Sequence, residues 1–186
     1  MSRNFFLIIF NIFIFSNLFG LYAQKTEIRK TQIAVEGKGI NGVTIGQTTA
    51  AEVTKKFGKD HQLIAYPNYS SQIKYEKLGI SFYYCLADQK QKIFSIEFRK
   101  PYAVKTSKGI ILGKSKVNDV FRIYGVNKEA APLWLTYQGV DFRNINLATN
   151  AINGLKNKEM VINEINIYSF NFVPCQRIGD EPKTKQ

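Results

Sequence analysis

One segment of this sequence occurs twice, 67 residues apart, and it constrains the fold more than any other feature. Residues 42–58 read GVTIGQTTAAEVTKKFG, and residues 109–125 read GIILGKSKVNDVFRIYG. Most of the residues that are identical between the two copies are glycines, which often lie at the ends of helices and strands. The identical pairs are Gly42 and Gly109, Gly46 and Gly113, Val53 and Val120, and Gly58 and Gly125. Agreement at a constant spacing predicts a duplicated structural unit.

Each copy of the segment predicts a short helix. In the first copy Thr48 can serve as the N-cap, and a capping box of Thr49 with Glu52 is the alternative one residue later; Ser115 is the equivalent cap in the second copy. Apolar residues then recur at i, i+3 and i+7, which places them on one helix face. They are Ala50, Val53 and Phe57, and in the second copy Val117, Val120 and Tyr124. A glycine follows each stripe, where it can end the helix with a left-handed conformation.

Strands of alternating polarity follow each helix. In the first half, residues 73–75 and 80–84 predict a hairpin and residues 93–99 a third strand. The corresponding strands of the second half are residues 134–137, 140–143 and 160–172. We therefore predict an α+β fold of two tandem repeats, each a short helix plus a three-stranded antiparallel meander. The repeats would share or abut one sheet of roughly six strands, with helices on one face and the other face open to water.

The first residues have the layout of an export signal. Arg3 precedes an apolar run over residues 5–19, and cleavage is expected after Ala23. A retained membrane anchor is the alternative, because the run is near the lower limit for crossing a bilayer. A lipoprotein anchor is not expected, since no cysteine lies near the cleavage point. The expected location is therefore periplasmic or secreted.

These features predict the organisation of the whole chain. Its parts are a signal peptide (1–23), an N-terminal arm (24–41), repeat 1 (42–104), repeat 2 (105–173) and a C-terminal tail (174–186) predicted to be mobile. Within the arm, residues 32–35 predict an edge strand. Within repeat 2, the polar residues 144–157 predict a surface loop.

The charge balance is strongly basic. Lys and Arg number 26 against 14 Asp and Glu, a net charge of +12, and loss of Arg3 with the leader would leave 25 against 14, or +11. Such an excess favours attraction to anionic envelope lipids or polymers. Nucleic acid is not an expected partner of an exported chain. A solubilising surface is the other interpretation, because the lysines are scattered along the sequence.

The sequence has two cysteines, Cys85 and Cys175. In an oxidising compartment, two cysteines in a small exported domain often pair. A disulfide between them would join the two halves and could stabilise the fold by roughly 4 kcal/mol. Two separate buried thiols are the alternative.

No residue pattern predicts catalysis. His61 is the only histidine, so a histidine-activated nucleophile and a zinc site both lack partners. Helix caps, surface positions and strand exteriors are the simpler explanations for the carboxylates. These carboxylates are Glu52, Glu97, Asp119, Glu129 and Asp141. We expect no enzyme activity, cofactor or metal, and an unrecognised hydrolase is the least favoured alternative.

The aromatic residues favour binding. Alternation predicts a buried set that faces the helices: Tyr75, Phe82, Phe94, Phe98, Tyr137 and Phe142. The same alternation directs a second set to the open sheet face, where Trp, Tyr and Arg are typical of interaction hot spots. The predicted binding residues are Trp134, Tyr83, Lys74, Arg99 and Arg143, extended by Tyr66 and Tyr69 on the preceding loop. Burial of Trp134 at the junction between the repeats is the alternative.

The repeated segment, the aromatic hairpin and the apolar last strand resemble a known unit. It is the helix-plus-meander repeat of the outer-membrane assembly accessory lipoproteins of the SmpA/OmlA type and of the tandem-repeat β-lactamase inhibitor proteins. The resemblance covers residues 42–99 and 109–168. It implies their fold and a non-enzymatic role in binding an envelope protein or peptide. The chain lacks the lipoprotein cysteine of the assembly proteins, and its loops do not match those of the inhibitors.

Overall fold

The computed structural model describes residues 30–67, 69–126, 134–143, 158–171 and 175. The predicted leader, the 144–157 loop and most of the predicted tail lie outside the described residues. The strands are β1 (Gln32–Val35), β2 (Gly39–Ile40), β3 (Val43–Thr44), β4 (Gln62–Tyr66), β5 (Ser70–Tyr75), β6 (Ile80–Cys85), β7 (Ile93–Arg99), β8 (Val104–Thr106), β9 (Trp134–Tyr137), β10 (Val140–Arg143) and β11 (Glu164–Tyr168). The α-helices are α1 (Ala50–Phe57) and α2 (Val117–Tyr124), and a 3-10 turn spans Glu76–Leu78.

The strands form two sheets. The larger one has seven strands in the order β4-β5-β6-β7-β11-β10-β9, and every neighbouring pair in it is antiparallel. The smaller one has the order β3-β2-β1-β8, and its β1 and β8 strands pair in parallel. The predicted α+β class with mainly antiparallel sheets is therefore confirmed. The strand predicted over residues 32–35 is β1, but it lies between β2 and β8 and is not an edge strand. The strand β8 and the smaller sheet as a whole were not predicted.

One face of the seven-stranded sheet is apolar. Register places a row of side chains side by side on five strands: Ile80, Phe98, Ile165, Phe142 and Leu135. No member of this row is more than 1% exposed. The predicted burial of Tyr75, Phe82, Phe98 and Phe142 is confirmed, and Tyr137 is half-buried against the same core.

The predicted burial of Phe94 in this core is wrong. The β6–β7 pairing shifts by one residue between Tyr83 and Tyr84, so that Tyr83 pairs with Ser95 and Tyr84 with Ile93. Phe94 is the residue left over, and a bulge of this kind breaks the simple alternation. Its ring lies 6.3 Å from the Tyr83 ring.

Helix α1 begins with the second of the two predicted caps. Thr49 is the N-cap, and its backbone N–H donates to the Glu52 carboxylate at 2.8 Å in a capping box. Thr48 instead accepts a hydrogen bond from the N–H of Thr44 at 2.9 Å.

The predicted cap of helix α2 is wrong. Lys116, not Ser115, is the N-cap, and its N–H donates to Asp119 at 2.9 Å. The Ser115 hydroxyl accepts from the N–H of Ile111 at 3.0 Å, because it lies one residue too early to cap the helix. Ser115 therefore holds the loop before the helix, as Thr48 does before α1.

The two helix ends carry matching tyrosine hydrogen bonds. The Tyr75 hydroxyl donates to the carbonyl of Gly58 at 2.9 Å, and the Tyr137 hydroxyl donates to that of Gly125 at 2.6 Å. Both glycines have positive φ and extended ψ, with values of 90° and −176° at Gly58 and 88° and 164° at Gly125. This region is open almost only to glycine, so these residues end the helices, although not in the left-handed helical conformation that was predicted.

Cys85 and Cys175 form a disulfide, as predicted, with their Cα atoms 5.4 Å apart. Cys85 is the last residue of β6, in the first half of the seven-stranded sheet. The bond therefore closes a loop across 90 residues of sequence.

The predicted last strand is shorter than expected. It was predicted over residues 160–172, whereas β11 covers Glu164–Tyr168. Val161 makes only an isolated bridge to Lys116, because the chain there pairs with the segment that leads into α2. Phe172 lies outside the described residues.

Candidate functional site

The predicted binding residues converge on the second face of the seven-stranded sheet. Arg99 pairs with Glu164, Glu164 with Arg143, and Arg143 with Trp134, so these four lie in one row across four strands. Lys74 and Tyr83 lie on the same face by register, and so does Tyr66 on β4. We call this surface the polar face and define it by Tyr66, Lys74, Tyr83, Arg99, Trp134 and Arg143.

Tyr69 lies beside this set, in the turn between β4 and β5. It is 48% exposed, and its N–H donates to the Tyr66 carbonyl at 3.1 Å. The predicted aromatic residues that are most open to solvent are therefore at the two ends of the sheet. Tyr66, at 43% exposed, stands beside Tyr69 at one end, and Trp134, at 39%, stands at the other.

A buried carboxylate organises the middle of the polar face. Glu164 is 1% exposed, and its two oxygens accept from two arginines. Arg99 Nη2 lies 2.8 Å from Glu164 Oε2, and Arg143 Nη1 lies 2.9 Å from Glu164 Oε1. Hydrogen-bonded ion pairs of this kind hold both arginine side chains in one orientation.

A second carboxylate extends this network to the tyrosines. Arg99 Nε donates to Glu97 at 2.9 Å, and the Tyr83 hydroxyl donates to Glu97 Oε2 at 3.0 Å. Gln72 in turn donates to the Tyr83 oxygen at 2.9 Å and accepts from Tyr66 at 3.0 Å. A continuous chain of hydrogen bonds thus connects Tyr66, on the outermost strand, to the centre of the sheet.

Burial shifts the ionisation of these groups. Burial and the nearby Glu97 carboxylate raise the pKa of Glu164, against the lowering effect of the two arginines. Burial and Glu97 also raise the pKa of Tyr83, so its hydroxyl stays a donor. Burial opposes ionisation of Arg99, but Glu97 and Glu164 raise its pKa overall. Arg99 is therefore charged, and the Tyr83 hydroxyl is protonated, near neutral pH.

Trp134 forms its main contact with this network. The Arg143 guanidinium lies 4.8 Å from the centre of the indole ring, within the range of a cation–π contact. Among the described residues, the buried atoms Arg143 Nε and Asp141 Oδ1 have no hydrogen-bond partner. Burial raises the pKa of Asp141, which lies 3.9 Å from Arg143 Nη2.

The alternative that Trp134 lies at the junction between the halves is wrong. The halves meet where β7 pairs with β11, in the middle of the sheet, whereas Trp134 starts β9 at the sheet's end. A residue on an outer strand keeps one side open to solvent, and Trp134 does so.

The prediction that this face is open to water is wrong for part of the face. Arg99 on the central strand is exposed, but five polar residues of the face are buried: Gln72, Ser81, Ser95, Glu97 and Glu164. Glu97 was predicted to be a solvent-exposed strand residue, but a charge with good hydrogen-bonding partners can be buried. Glu164 was missed as a site residue, because alternation contains no signal for how deeply a polar side chain lies.

A second buried polar cluster was missed by the sequence analysis. Glu36, in the loop between β1 and β2, accepts hydrogen bonds from the hydroxyls of Ser107 and Tyr124. Burial opposes ionisation of this carboxyl, but these hydrogen bonds and backbone N–H groups hold its pKa below the ordinary value. Lys108 lies over the Tyr124 ring, 4.5 Å from its centre. The cluster ties the smaller sheet to α2, and short polar loops in the sequence gave no signal for it.

The described residues also bear on other kinds of site. Within them, no group of three or more His, Cys, Asp and Glu side chains could hold a metal ion. No helix in the described ranges has both the length and the apolar character to cross a membrane. A cavity of about 50 Å³ opens where β5 ends and β6 begins, beside Lys74, Arg99 and Lys100.

Comparison with known proteins gives no relative. No protein-family model, no curated protein and no solved structure matches this chain.

Proposed function

We propose that this chain is an exported, non-enzymatic module that binds a protein or peptide of the bacterial cell envelope through its polar face. We also propose that it is a tandem repeat of the helix-plus-meander unit, like the SmpA/OmlA-type lipoproteins and the tandem-repeat β-lactamase inhibitor proteins. Export and the envelope location follow from the leader-like N-terminus. The disulfide is consistent with an oxidising compartment.

Matched geometry in the two halves supports the repeat. Helices α1 and α2 have eight residues each and begin 67 positions apart, at Ala50 and Val117. Their preceding loops reach the sheet through paired hydrogen bonds of similar length. In the first half, the Gly46 N–H donates to the Ile93 carbonyl at 2.7 Å, and the Ile93 N–H donates to the Thr48 carbonyl at 2.8 Å. In the second half, the Gly113 N–H donates to the Ile162 carbonyl at 2.8 Å, and the Ile162 N–H donates to the Ser115 carbonyl at 2.8 Å.

Ring contacts support the placement of both helices on the apolar face. Phe57 of α1 packs 4.9 Å from Phe82, and Tyr124 of α2 packs 5.1 Å from Phe142. Phe82 pairs with Ile96 on β7, and the strand pairing continues from β7 through β11 to β10. This pairing places Phe82 and Phe142 on the same face of the sheet. The polar face is then the side of the sheet that the helices leave for a partner.

The observation that carries the binding proposal is the rigid placement of Trp134 and Arg143. Glu164 holds Arg143 by a 2.9 Å hydrogen bond, and Arg143 in turn supports the Trp134 ring. A partner that packs on this ring meets a side chain already in place, so less entropy is lost on binding. Large aromatic and arginine side chains in such positions dominate the energy of many interfaces.

Site-specific photo-crosslinking in cells that produce the protein tests the proposal. A photoreactive phenylalanine derivative at Trp134 should give one discrete crosslinked protein product. The same derivative at Val126, which is 73% exposed and lies after α2, is the matched control and should give none. Equal products from both positions, or none from Trp134, would remove the support for a binding face here.

A measurement on the isolated partner completes the test. We expect Trp134→Ala to weaken binding more than tenfold, and to lower the melting temperature by only a few degrees because the ring is 39% exposed. Unchanged affinity in a folded Trp134→Ala variant would contradict the proposal.

Attachment to anionic lipids or polymers is the second candidate function. The net charge of +12 favours it, and so does the engagement of described carboxylates such as Asp88, Asp119 and Glu159 in hydrogen bonds or ion pairs. Salt separates the two candidates. Attachment through charge should weaken steeply between 20 and 300 mM salt, where the Debye length falls from roughly 20 to 6 Å, whereas a packed protein interface should change little.

A further inference from the structure

The seven-stranded sheet has an unprotected edge at β4. Within the described part of the chain, β4 pairs with β5 alone, so alternate residues of β4 direct backbone N–H and C=O groups away from the sheet. The strand reads QLIAY and contains no charge, proline or bulge. Proteins usually protect a sheet edge with one of these devices, because an open edge is a template for another strand.

The side chains of β4 are also available. Leu63 is 62% exposed and Tyr66 is 43% exposed, and they lie on opposite faces of the strand. Ile64 between them is half-buried. A strand added here would gain apolar contacts on both faces as well as backbone hydrogen bonds. By contrast, the outer strands of the smaller sheet have only two and three residues.

The charges near β4 define what kind of strand fits. Lys59 is exposed and lies three residues before β4, and it takes part in no ion pair among the described residues. The one carboxylate in this link, Asp60, is already paired with Lys77 at 2.9 Å. An added strand with acidic ends is therefore attracted, whereas a second copy of this chain, with its own net charge of +12, is repelled.

We propose that β4 accepts an extended, acidic segment of a partner protein, which adds to the sheet as an eighth strand. Backbone hydrogen bonds to β4 give the affinity, and carboxylates at the end of the segment near Lys59 select acidic partners. This edge is separate from Trp134, which lies at the opposite end of the sheet. The edge can therefore bind whether or not the polar face has a partner of its own.

Synthetic peptides test this proposal with the full chain. The probe is a peptide with a Val-Thr-Val-Thr-Val centre and two glutamates at each end. A peptide with lysines in place of the glutamates tests the charge, and an acidic peptide with alternate N-methylated amides tests the backbone hydrogen bonds. We expect the acidic peptide to bind at least tenfold more tightly than the basic one, and N-methylation to abolish binding.

Protein variants locate the binding. Leu63→Glu places a like charge on β4 and should weaken binding of the acidic peptide at least tenfold. Val126→Glu makes the same change at an exposed apolar residue outside β4 and should leave binding unchanged. Amide hydrogen exchange in residues 62–66 should slow when the acidic peptide is bound.

Several outcomes would overturn the proposal. They are no binding of the acidic peptide, binding that survives N-methylation, or equal effects of Leu63→Glu and Val126→Glu. Sedimentation of the peptide-free protein gives a further check. If the peptide-free protein forms dimers that become more stable with salt and that Leu63→Glu disrupts, the edge binds a second copy of the chain instead. If Trp134→Ala leaves partner binding unchanged while the acidic peptide still binds at β4, only the polar-face proposal is refuted.

Discussion

Arg99 and Glu164 join the two halves of the seven-stranded sheet by a 2.8 Å ion pair between β7 and β11. Glu164 is buried, whereas the Arg99 side chain is 44% exposed. The pair lies where the central strands meet, so it couples the first half of the chain to the second. Its partners Arg143 and Glu97 spread that coupling across the polar face.

Loss of the Glu164 charge should destabilise the fold. Glu164→Gln leaves two arginines without their shared anion. We expect a loss of about 2–3 kcal/mol in the free energy of unfolding, below the value for a fully buried pair because both arginines are partly solvated. Urea unfolding measures it. Glu159→Gln, at an exposed pair with Lys116, is the matched control and should cost under about 1 kcal/mol. Equal losses in the two variants would contradict the organising role of Glu164.

The Glu36 cluster should make stability depend on pH. The pKa of Glu36 lies below its ordinary value of 4.5 in the folded chain. Between the two pKa values the unfolded chain binds more protons, so the stabilising contribution of Glu36 is complete above about pH 4.5 and is lost as the pH falls through the folded pKa. Glu36→Gln should cost about 2 kcal/mol at pH 7, as expected for a buried charged hydrogen-bonding group. The difference from the native chain should shrink by pH 3, as measured by urea unfolding at both values. A difference that does not change with pH would show that folding does not lower the pKa of Glu36.

The Tyr83 hydroxyl should contribute to stability through Glu97 and Gln72. Tyr83→Phe removes a donor to a buried carboxylate and an acceptor for an amide, which we expect to cost about 1–3 kcal/mol. Tyr69→Phe changes an exposed ring in the same way and should cost under about 0.5 kcal/mol. Thermal unfolding compares the two. If Tyr83→Phe behaves like Tyr69→Phe, the hydrogen-bond chain across the face contributes nothing net.

The glycines that end the helices should be intolerant of a side chain to the same degree. Gly58→Ala and Gly125→Ala each force alanine into a conformation that costs about 1–3 kcal/mol. An added Cβ meets no atom within 4 Å at either position, so the cost is purely conformational. Denaturant unfolding should give similar losses for both, and Lys59→Ala, at an exposed neighbour, should give little. Clearly unequal losses would weaken the proposed equivalence of the halves.

The disulfide should stabilise the folded state strongly. Cys85 and Cys175 are separated by 90 residues, and closing such a loop is worth about 4 kcal/mol by chain entropy. Replacing both cysteines by alanine should lower the free energy of unfolding by that amount, and reductant should then have no further effect. Intact-mass analysis after alkylation should find no reactive thiol in the unreduced native chain. A variant as stable as the native chain would mean that the bridge adds strain equal to its entropic gain.

The sequence by itself determined the local elements and their faces. The 67-residue repetition predicted both helices, and alternation predicted β9 and β10 with the observed bounds and assigned Trp134, Arg143 and Arg99 to one face. Local patterns succeed here because successive side chains of a strand point to opposite faces of the sheet. Likewise, the start of a helix depends on a few residues that are adjacent in sequence. Composition and compartment also predicted the disulfide.

Only the tertiary structure decided burial and the long-range partners. Glu97 was predicted to be a strand-exterior carboxylate and Glu164 was not singled out, and both are buried because β7 and β11 bring two arginines to them from distant parts of the chain. The smaller sheet likewise depends on the parallel pairing of β1 with β8, across some 70 residues, and no local signal specifies such a partner. Phe94 lies outside the core because a bulge in the β6–β7 pairing changes the face of the sheet on which its side chain lies. The free energy of burying these side chains depends on the groups that surround them in space. Residue order alone does not specify those neighbours.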